Sequence, residues 1–535
     1  MNALARRGWL PLLALGALPA LFLALMLVAP VLRLGAEAGA AATFALLGAL
    51  WSDDYLRWRV AWSFLQAGLT CLAALLFGVP VAWVLARYAF AGRALVLRLL
   101  MLPFVVPTLV AALGVLALWG PQGVLARWTG LDLQDTPWLL LYGNLFFNLC
   151  LVVRAAVDAL GQVSASRVAV ARTLGATPWR VFWRVEWPAI LPWLASSLCL
   201  VFLYCFSGFG LALILGGQKY ATVEVEIYTL VAHELKLAQA GALALGMLVL
   251  TGLVALVYAL IEQRLSTPAR ADVIGLRRPR GAAQWSAVAA ALFALVFFCA
   301  APLLVILARA LGAGMAAWGS LLDEESRLAL WNTTRFTLAA LLLATALGLT
   351  HALVARRSVW LRAAAFLPFV VSPVTVALGL LLLYPGWSAS MLLLVSAYAL
   401  LAYPFVAKSL GAALDSLPEH LLQAARTLGA TPWRMFWRVT LPLVTPSLRR
   451  GMAFAAATAL GEFAVTLFLS RPEWTTLTTL IYQRLGRPGG ANRDAALVLA
   501  AVLMLLALAA FLLIEAPPWR ADRRNAAPAK ELAHA

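Results

Sequence analysis

The chain has 535 residues, 64% of them hydrophobic and 12% charged, whereas soluble domains are about half apolar and a quarter charged. So much apolar surface excludes an ordinary water-surrounded core and calls for lipid as the solvent. The net charge of +18 does not argue for nucleic acid, because the basic residues are dispersed between apolar runs instead of gathering on one polar face.

Arg6 and Arg7 precede an apolar run from Trp9 to about Leu32. A signal-peptide core is about 7–15 residues, so this longer run predicts a retained first span, although Ala36-Glu37-Ala38 resembles a cleavage site. Runs of spanning length recur twelve times, at about 9–32, 60–86, 95–119, 137–160, 190–215, 238–263, 284–312, 332–355, 361–384, 388–410, 448–470 and 494–516. A backbone in lipid must satisfy its own hydrogen bonds, which makes these helices. Strand alternation is absent, which argues against a β-barrel. The expected fold is an all-α polytopic membrane protein of about 12 transmembrane helices.

Charge gives the expected orientation. Arg87, Arg93, Arg98, Arg154, Arg167, Arg180, Arg277, Arg278, Arg356, Arg434 and Arg438 fall in alternate loops, and Asp53, Asp54, Asp132, Asp135, Glu224, Glu226, Asp323, Glu324 and Glu325 fall in the others. The positive-inside rule then predicts that both termini are cytoplasmic. A basic, proline-containing stretch, 266–283, separates a first unit (1–265) from a second (284–517), with a tail at 518–535. Cys71, Cys150, Cys199, Cys205 and Cys299 all lie in apolar runs without CxxC spacing, and read as small buried hydrophobes.

The decisive feature is an internal repeat. ARTLGATPWR occurs at Ala171–Arg180 and again, 254 positions on, at Ala425–Arg434. Phe182, Trp183, Arg184, Pro188 and Pro192 match Phe436, Trp437, Arg438, Pro442 and Pro446 at the same offset. Thr222, Ile227 and Tyr228 likewise match Thr476, Ile481 and Tyr482. Leu102–Pro107 is similar to Leu367–Pro373, and Gly114 pairs with Gly379 at an offset of 265. Two six-span units of like topology imply parallel repeats about an axis normal to the membrane.

Each copy of the repeated segment falls in a predicted cytoplasmic loop, near 161–190 and 415–446. A first helix should stop at Gly175 or Gly429. A second should start with Thr177-Pro178 or Thr431-Pro432, threonine as N-cap and proline at the first position, and end before Pro188 or Pro442. That short helix presents Trp179, Arg180, Phe182 and Trp183, or Trp433, Arg434, Phe436 and Trp437. Aromatic and arginine side chains are the usual anchors of a protein interface. An interfacial helix lying on lipid headgroups is the competing reading, and duplication favours docking to a two-lobed partner.

At these residues a family resemblance appears. Gly175 with Trp187-Pro188, and Gly429 with Leu441-Pro442, fit the spacing of the EAA loop of ABC-importer permeases. The chain departs where glutamate is usual, having Ala169 and Gln423; the second copy keeps Ala424-Ala425 and the first has Val170-Ala171. Further stretches (Trp62–Ala67, Phe146–Leu149, Val185–Pro188, Leu215–Tyr228, Gly461–Val465, Leu477–Gln483) are similar to the fused permeases of thiamine importers, and several also to ferric-iron permeases. The resemblance implies a non-catalytic transport subunit of a bacterial inner membrane, binding no cofactor itself. ATP would be used by a separate ATPase dimer seated on Ala171, Arg172, Gly175, Thr177, Pro178, Trp179, Arg180, Phe182 and Pro188, and on Ala424, Ala425, Arg426, Gly429, Thr431, Pro432, Trp433, Arg434, Phe436 and Pro442. A periplasmic binding protein would deliver the cargo, thiamine or its phosphates, to outer loops including 216–236 and 471–493. Ferric iron or another small solute is the alternative cargo.

Other candidates weigh less. Leu215–Gln218 is similar to part of the ATPase signature, but the chain has no GxxxxGK[ST] loop, and a glycine-rich turn is expected there. Glu462, an acid within an apolar run, is expected either to line the pathway or to make a structural pair. Arg154 and Asp158, one turn apart, should form a local salt bridge. His233, His351, His420 and His534 are scattered, with neither metal-ligand nor catalytic spacing. An ion-coupled secondary transporter would need several intramembrane acids and would leave the repeated loop unexplained.

Overall fold

The computed structural model describes residues 10–264, 275–356, 359–388, 390–469 and 471–515. Arg6, Arg7, the first part of the linker and the tail 518–535 lie outside them, so nothing is added to those expectations. Among the described residues the chain is helical, with a single isolated bridge between Tyr88 and Arg277 in place of any sheet. It is an all-α polytopic membrane protein. The helices that matter are α1 (Gly16–Gly39), α2 (Asp54–Arg87), α3 (Thr108–Thr129), α4 (Pro137–Leu160), α5 (Pro178–Phe206), α6 (Leu237–Ile261), α7 (Ala282–Gly312) and α8 (Glu324–Ala355). The series continues with α9 (Pro373–Leu383), α10 (Met391–Asp415), α11 (Leu441–Leu460) and α12 (Gly490–Glu515).

Ten of these twelve are long and apolar enough to cross a bilayer. The two exceptions are the expected spans at 361–384 and 448–470. The first is divided into short pieces and the 11-residue α9 by extended backbone at Val371 and Ser372. The second, α11, carries Arg449 and Arg450 and stops at Gly461. Helices α2 and α8 begin earlier than their apolar runs. Each opens on an acidic first turn, Asp54 or Glu324 with Glu325, which complements the positive end of the helix dipole.

Four prolines share one local device. Pro30, Pro188, Pro302 and Pro442 each follow a five-residue wide turn, at Ala24–Val28, Phe182–Glu186, Val296–Ala300 and Phe436–Thr440. Proline lacks an N–H and its ring crowds the carbonyl four residues back. The wide turn relieves both, shifting the bonding to i→i+5, as in Ala29 N–H to the Ala24 carbonyl. This corrects the expectation that Pro188 and Pro442 end the loop helix: the helical path runs through each of them into the membrane.

The two sequence halves interlock. Helix α1 packs on α8 and α9 of the second half as well as on α6, and α7 packs on α2, α3 and α4 of the first half. Paired glycines admit these crossings. A Cβ on Gly114 in α3 would stand 2.7 Å from the carbonyl oxygen of Pro302 in α7, and one on Gly379 in α9 would stand 3.0 Å from that of Pro30 in α1. Gly114→Ala with Gly379→Ala should therefore lower the unfolding temperature in detergent, at about 1–3 kcal/mol per overpacked site. Gly246→Ala, where a Cβ meets nothing within 4 Å, should not; equal behaviour of the two variants would contradict the interlock.

Candidate functional site

Two features emerge from the repeat. The first is the pair of loops. In the first copy, Ala165–Thr173 is a helix capped by the Ser164 hydroxyl, which accepts from Arg167 N–H. It ends in a Schellman turn, with Gly175 at φ +77°, Ala176 N–H bonded to the Ala171 carbonyl and Gly175 N–H to the Arg172 carbonyl, each at 3.0 Å. In the second copy Gly429 has φ +75°, and Ala430 N–H and Gly429 N–H repeat those bonds to Ala425 and Arg426 at 3.0 Å. The Thr177 hydroxyl then accepts from Arg180 N–H, and the Thr431 hydroxyl from Arg434 N–H, as the sequence predicts for N-caps.

What the loops present is apolar and exposed. Leu174 and Leu428 are 82% and 87% exposed, and Trp179 and Trp433 are 69% and 71% exposed. Trp183 and Trp437 are also exposed, and their rings meet Trp179 and Trp433 edge-on at 5.6 and 5.5 Å. Arg172, Arg180, Arg426 and Arg434 are exposed beside them, as are Pro178, Pro432 and Ala424. Ala425, by contrast, is buried, Ala171, Phe182 and Phe436 are half-buried, and Pro188 and Pro442 serve the path into the membrane. The two copies thus expose equivalent leucine, tryptophan and arginine side chains, and tryptophan and arginine are enriched at interface anchors.

The second feature is a cavity of about 270 Å³ between the halves. Its walls come from equivalent places in each. The breaks preceding α3 and α9 contribute Phe104 to Thr108 and Pro368, Phe369, Val371 and Pro373; α4 contributes Asn144, Phe147 and Asn148, and α10 Leu401 and Phe405. The breaks after α5 and α11 supply Ser207 to Leu211 and Gly461 to Ala464. Phe209 and Phe463, 254 positions apart, stack across the two halves at 5.9 Å with 22° between their planes. Gly461 presses against Pro107 of the other half, where a Cβ would lie 3.1 Å from its Cα.

Glu462 is the only charged residue among those lining the cavity. It is 8% exposed. Its Oε1 accepts from Val465 N–H at 2.9 Å, so it caps the short helix Ala464–Leu469. Its own carbonyl accepts from the Thr466 and Thr478 hydroxyls. Glu462 is thus held by a structural hydrogen bond and also lines the cavity. The same place in the first half is Gly208, so the pseudo-symmetric chamber has an acid on one side only.

The cavity also has polar lining from α4 that sequence reasoning did not connect to a site. Asn144 Nδ2 donates to Gln66 Oε1 at 2.6 Å, Gln66 Nε2 donates to the Cys205 carbonyl at 2.8 Å, and Asn148 Nδ2 donates to the Asn144 carbonyl at 2.8 Å. Polar residues four apart on an apolar helix, as Asn144 and Asn148 are, were the available signal. The outer segments also differ from expectation. Glu224 is fully buried and donates nothing to an outer loop surface; one oxygen accepts from the Ser372 hydroxyl of the other half at 2.8 Å. Glu226 is buried against Arg59 and Tyr55. Arg154 and Asp158 form the expected salt bridge at 2.9 Å, and Gly217 turns at φ +56° in the glycine-rich segment.

The sequence profile of the family described as binding-protein-dependent transport system inner membrane component matches residues 74–267 and 340–515. The thiamine transport system permease protein ThiP of Haemophilus influenzae is 29% identical over 498 residues, covering 86% of this chain and 90% of that one. ThiP of Salmonella typhimurium is 30% identical over 496 residues, covering 88% and 91%. A solved bacterial ABC transporter involved in import of the acidic polysaccharide alginate aligns with 49% of this chain and 98% of its own, at 19% identity and a TM-score of 0.41.

Proposed function

We propose that this chain, which belongs to the family of binding-protein-dependent transport system inner membrane components, carries thiamine through the cavity between its halves. As a member it is the permease subunit of a binding-protein-dependent ABC importer, a transport role without chemistry on the cargo. The cargo assignment rests on one observation, the lone carboxylate of Glu462 in an aromatic-walled chamber. Thiamine has a permanent thiazolium charge and a flat aminopyrimidine ring. A carboxylate in a low-dielectric setting attracts the charge, and faces such as Phe209 and Phe463 suit both rings and cation. The relatives named above are thiamine permeases, which supports the same cargo.

The lining also ranks the alternatives. None of the lining residues is basic, so free thiamine fits better than its phosphates, whose charge would have no partner. Ferric iron, a hard cation, is best held by several oxygen ligands, and one carboxylate among phenylalanines is a poor set. The volume of about 270 Å³ is near the lower end of small-molecule sites, roughly 300–1,000 Å³.

ATP would be hydrolysed on a separate pair of subunits, one docked on each exposed loop, Leu174–Trp183 and Leu428–Trp437. Closure of that pair would push the loops together and rock the halves, giving alternating access to the cavity. In this reading the loops and both termini face the cytoplasm of a bacterial inner membrane, and a periplasmic binding protein hands over the cargo from the other side.

Glu462→Gln keeps the side chain's size and should lower thiamine uptake roughly tenfold, the effect of about 1.4 kcal/mol, with the protein still inserted. Parental uptake in that variant would remove Glu462 from the pathway. Trp179→Ala with Trp433→Ala should abolish co-purification of the ATPase subunits, since truncating a central interface tryptophan costs about 2 kcal/mol or more. Gly175→Val with Gly429→Val forces branched side chains into the left-handed region, at about 1–2 kcal/mol each. Uptake should fall while membrane insertion stays normal; normal uptake in this last variant would refute the docking role of the loops.

A further inference from the structure

We propose that Glu186 is the positioning residue through which the first loop, and not the second, drives the cavity. The inference rests on the docking role of the loops given above. Glu186 is the last residue of the wide turn beneath the exposed Trp179–Trp183 surface, and it is 5% exposed. Its Oε1 lies 2.6 Å from Arg87 Nη2, and its Oε2 accepts from Trp83 Nε1 at 3.1 Å. Both partners are in the last turns of α2.

The clamp leads in two directions. Along α2, Gln66 bonds to the Cys205 carbonyl in α5 and accepts from Asn144, which lines the cavity. At its end, the Arg87 carbonyl accepts from Arg277 N–H at 2.9 Å, and Ala89 N–H donates to the Arg277 carbonyl at 2.8 Å. Arg277 belongs to the linker that leads into α7. A displacement of the first loop therefore moves α2, the cavity wall and the connection to the second half together. A buried, two-point, charge-assisted contact resists separation far better than exposed contacts, because pulling it apart leaves uncompensated charge.

Among the described residues the second loop has no such strut. The position equivalent to Glu186 is Thr440, buried but uncharged. The docking surfaces are thus alike while their attachments differ, and the power stroke enters the permease through the stiff first attachment.

The test uses proteoliposomes holding the full transporter, this chain with its ATPase subunits, and the binding protein loaded with radiolabelled thiamine. Glu186→Gln removes the charge and keeps the side chain's shape. ATPase subunits should co-purify as with the parent, uptake should fall roughly tenfold, equivalent to about 1.4 kcal/mol, and ATP consumed per thiamine should rise by a similar factor. Reversing the pair, Arg87→Glu with Glu186→Arg, should recover most of the uptake and bring the ATP-to-thiamine ratio back. A parental ratio in Glu186→Gln would overturn the proposal. So would loss of ATPase co-purification in Glu186→Gln, which would mean docking or folding instead of transmission. Retained co-purification in Trp179→Ala with Trp433→Ala is a separate result, and it would sink the docking reading itself.

Discussion

A polypeptide in hydrocarbon must pair its own backbone, and any break in a helix at membrane depth has to be hidden in protein or open onto water. Four breaks among the described residues fall before α3 and α9 and after α5 and α11, at Pro107, Val371 with Ser372, Ser207 to Phe209 and Gly461 to Phe463. All four breaks gather at the contact between the halves, where they line the same cavity. The freed groups are met by caps: the Ser372 hydroxyl takes Thr375 N–H, and Glu462 takes Val465 N–H. Pro30, Pro188, Pro302 and Pro442, by contrast, follow wide turns through which the helical path continues. The cavity thus lies where the backbone is irregular.

Much of this was legible in the sequence, because apolar length and exact repetition are strong signals. Twelve apolar runs gave the helix order, and Ala171–Arg180 against Ala425–Arg434 gave the two-fold plan and both loop geometries, down to the positive φ at Gly175 and Gly429. Helix ends were less legible. The charged first turns of α2 and α8 lie beyond the apolar runs, and Pro188 and Pro442 read as stops because a linear pattern does not reveal the wide turn that accommodates them. The interlocking of α1 with the second half was invisible, since Gly114 and Gly379 look alike whether they meet a lipid or the carbonyl of Pro302 or Pro30. Glu224 and Glu226 looked like outer-loop acids for the same reason: a sequence shows that they are charged, not that Ser372 and Arg59 stand beside them.

The two halves share a frame and diverge in their charges. Each presents the same exposed leucine and tryptophan, and each closes the cavity with the same phenylalanine. Among the described residues, only the second half places a carboxylate in the chamber, at Glu462 opposite Gly208, and only the first half clamps its loop with an ion pair, at Glu186 opposite Thr440. Fusion in one chain permits this division, because each half always meets the other in the same orientation. A cargo with one charged ring and one neutral ring suits a chamber whose two sides differ in the same way.

Uptake of radiolabelled thiamine in cells lacking this chain, with and without its restoration and with ferric iron uptake run in parallel, tests directly whether thiamine is the cargo. Thiamine uptake should be lost without the chain and regained with it, while iron uptake is unchanged. Iron uptake that follows the chain while thiamine uptake does not would contradict the reading of Glu462 and its aromatic chamber, and would leave only the permease architecture standing.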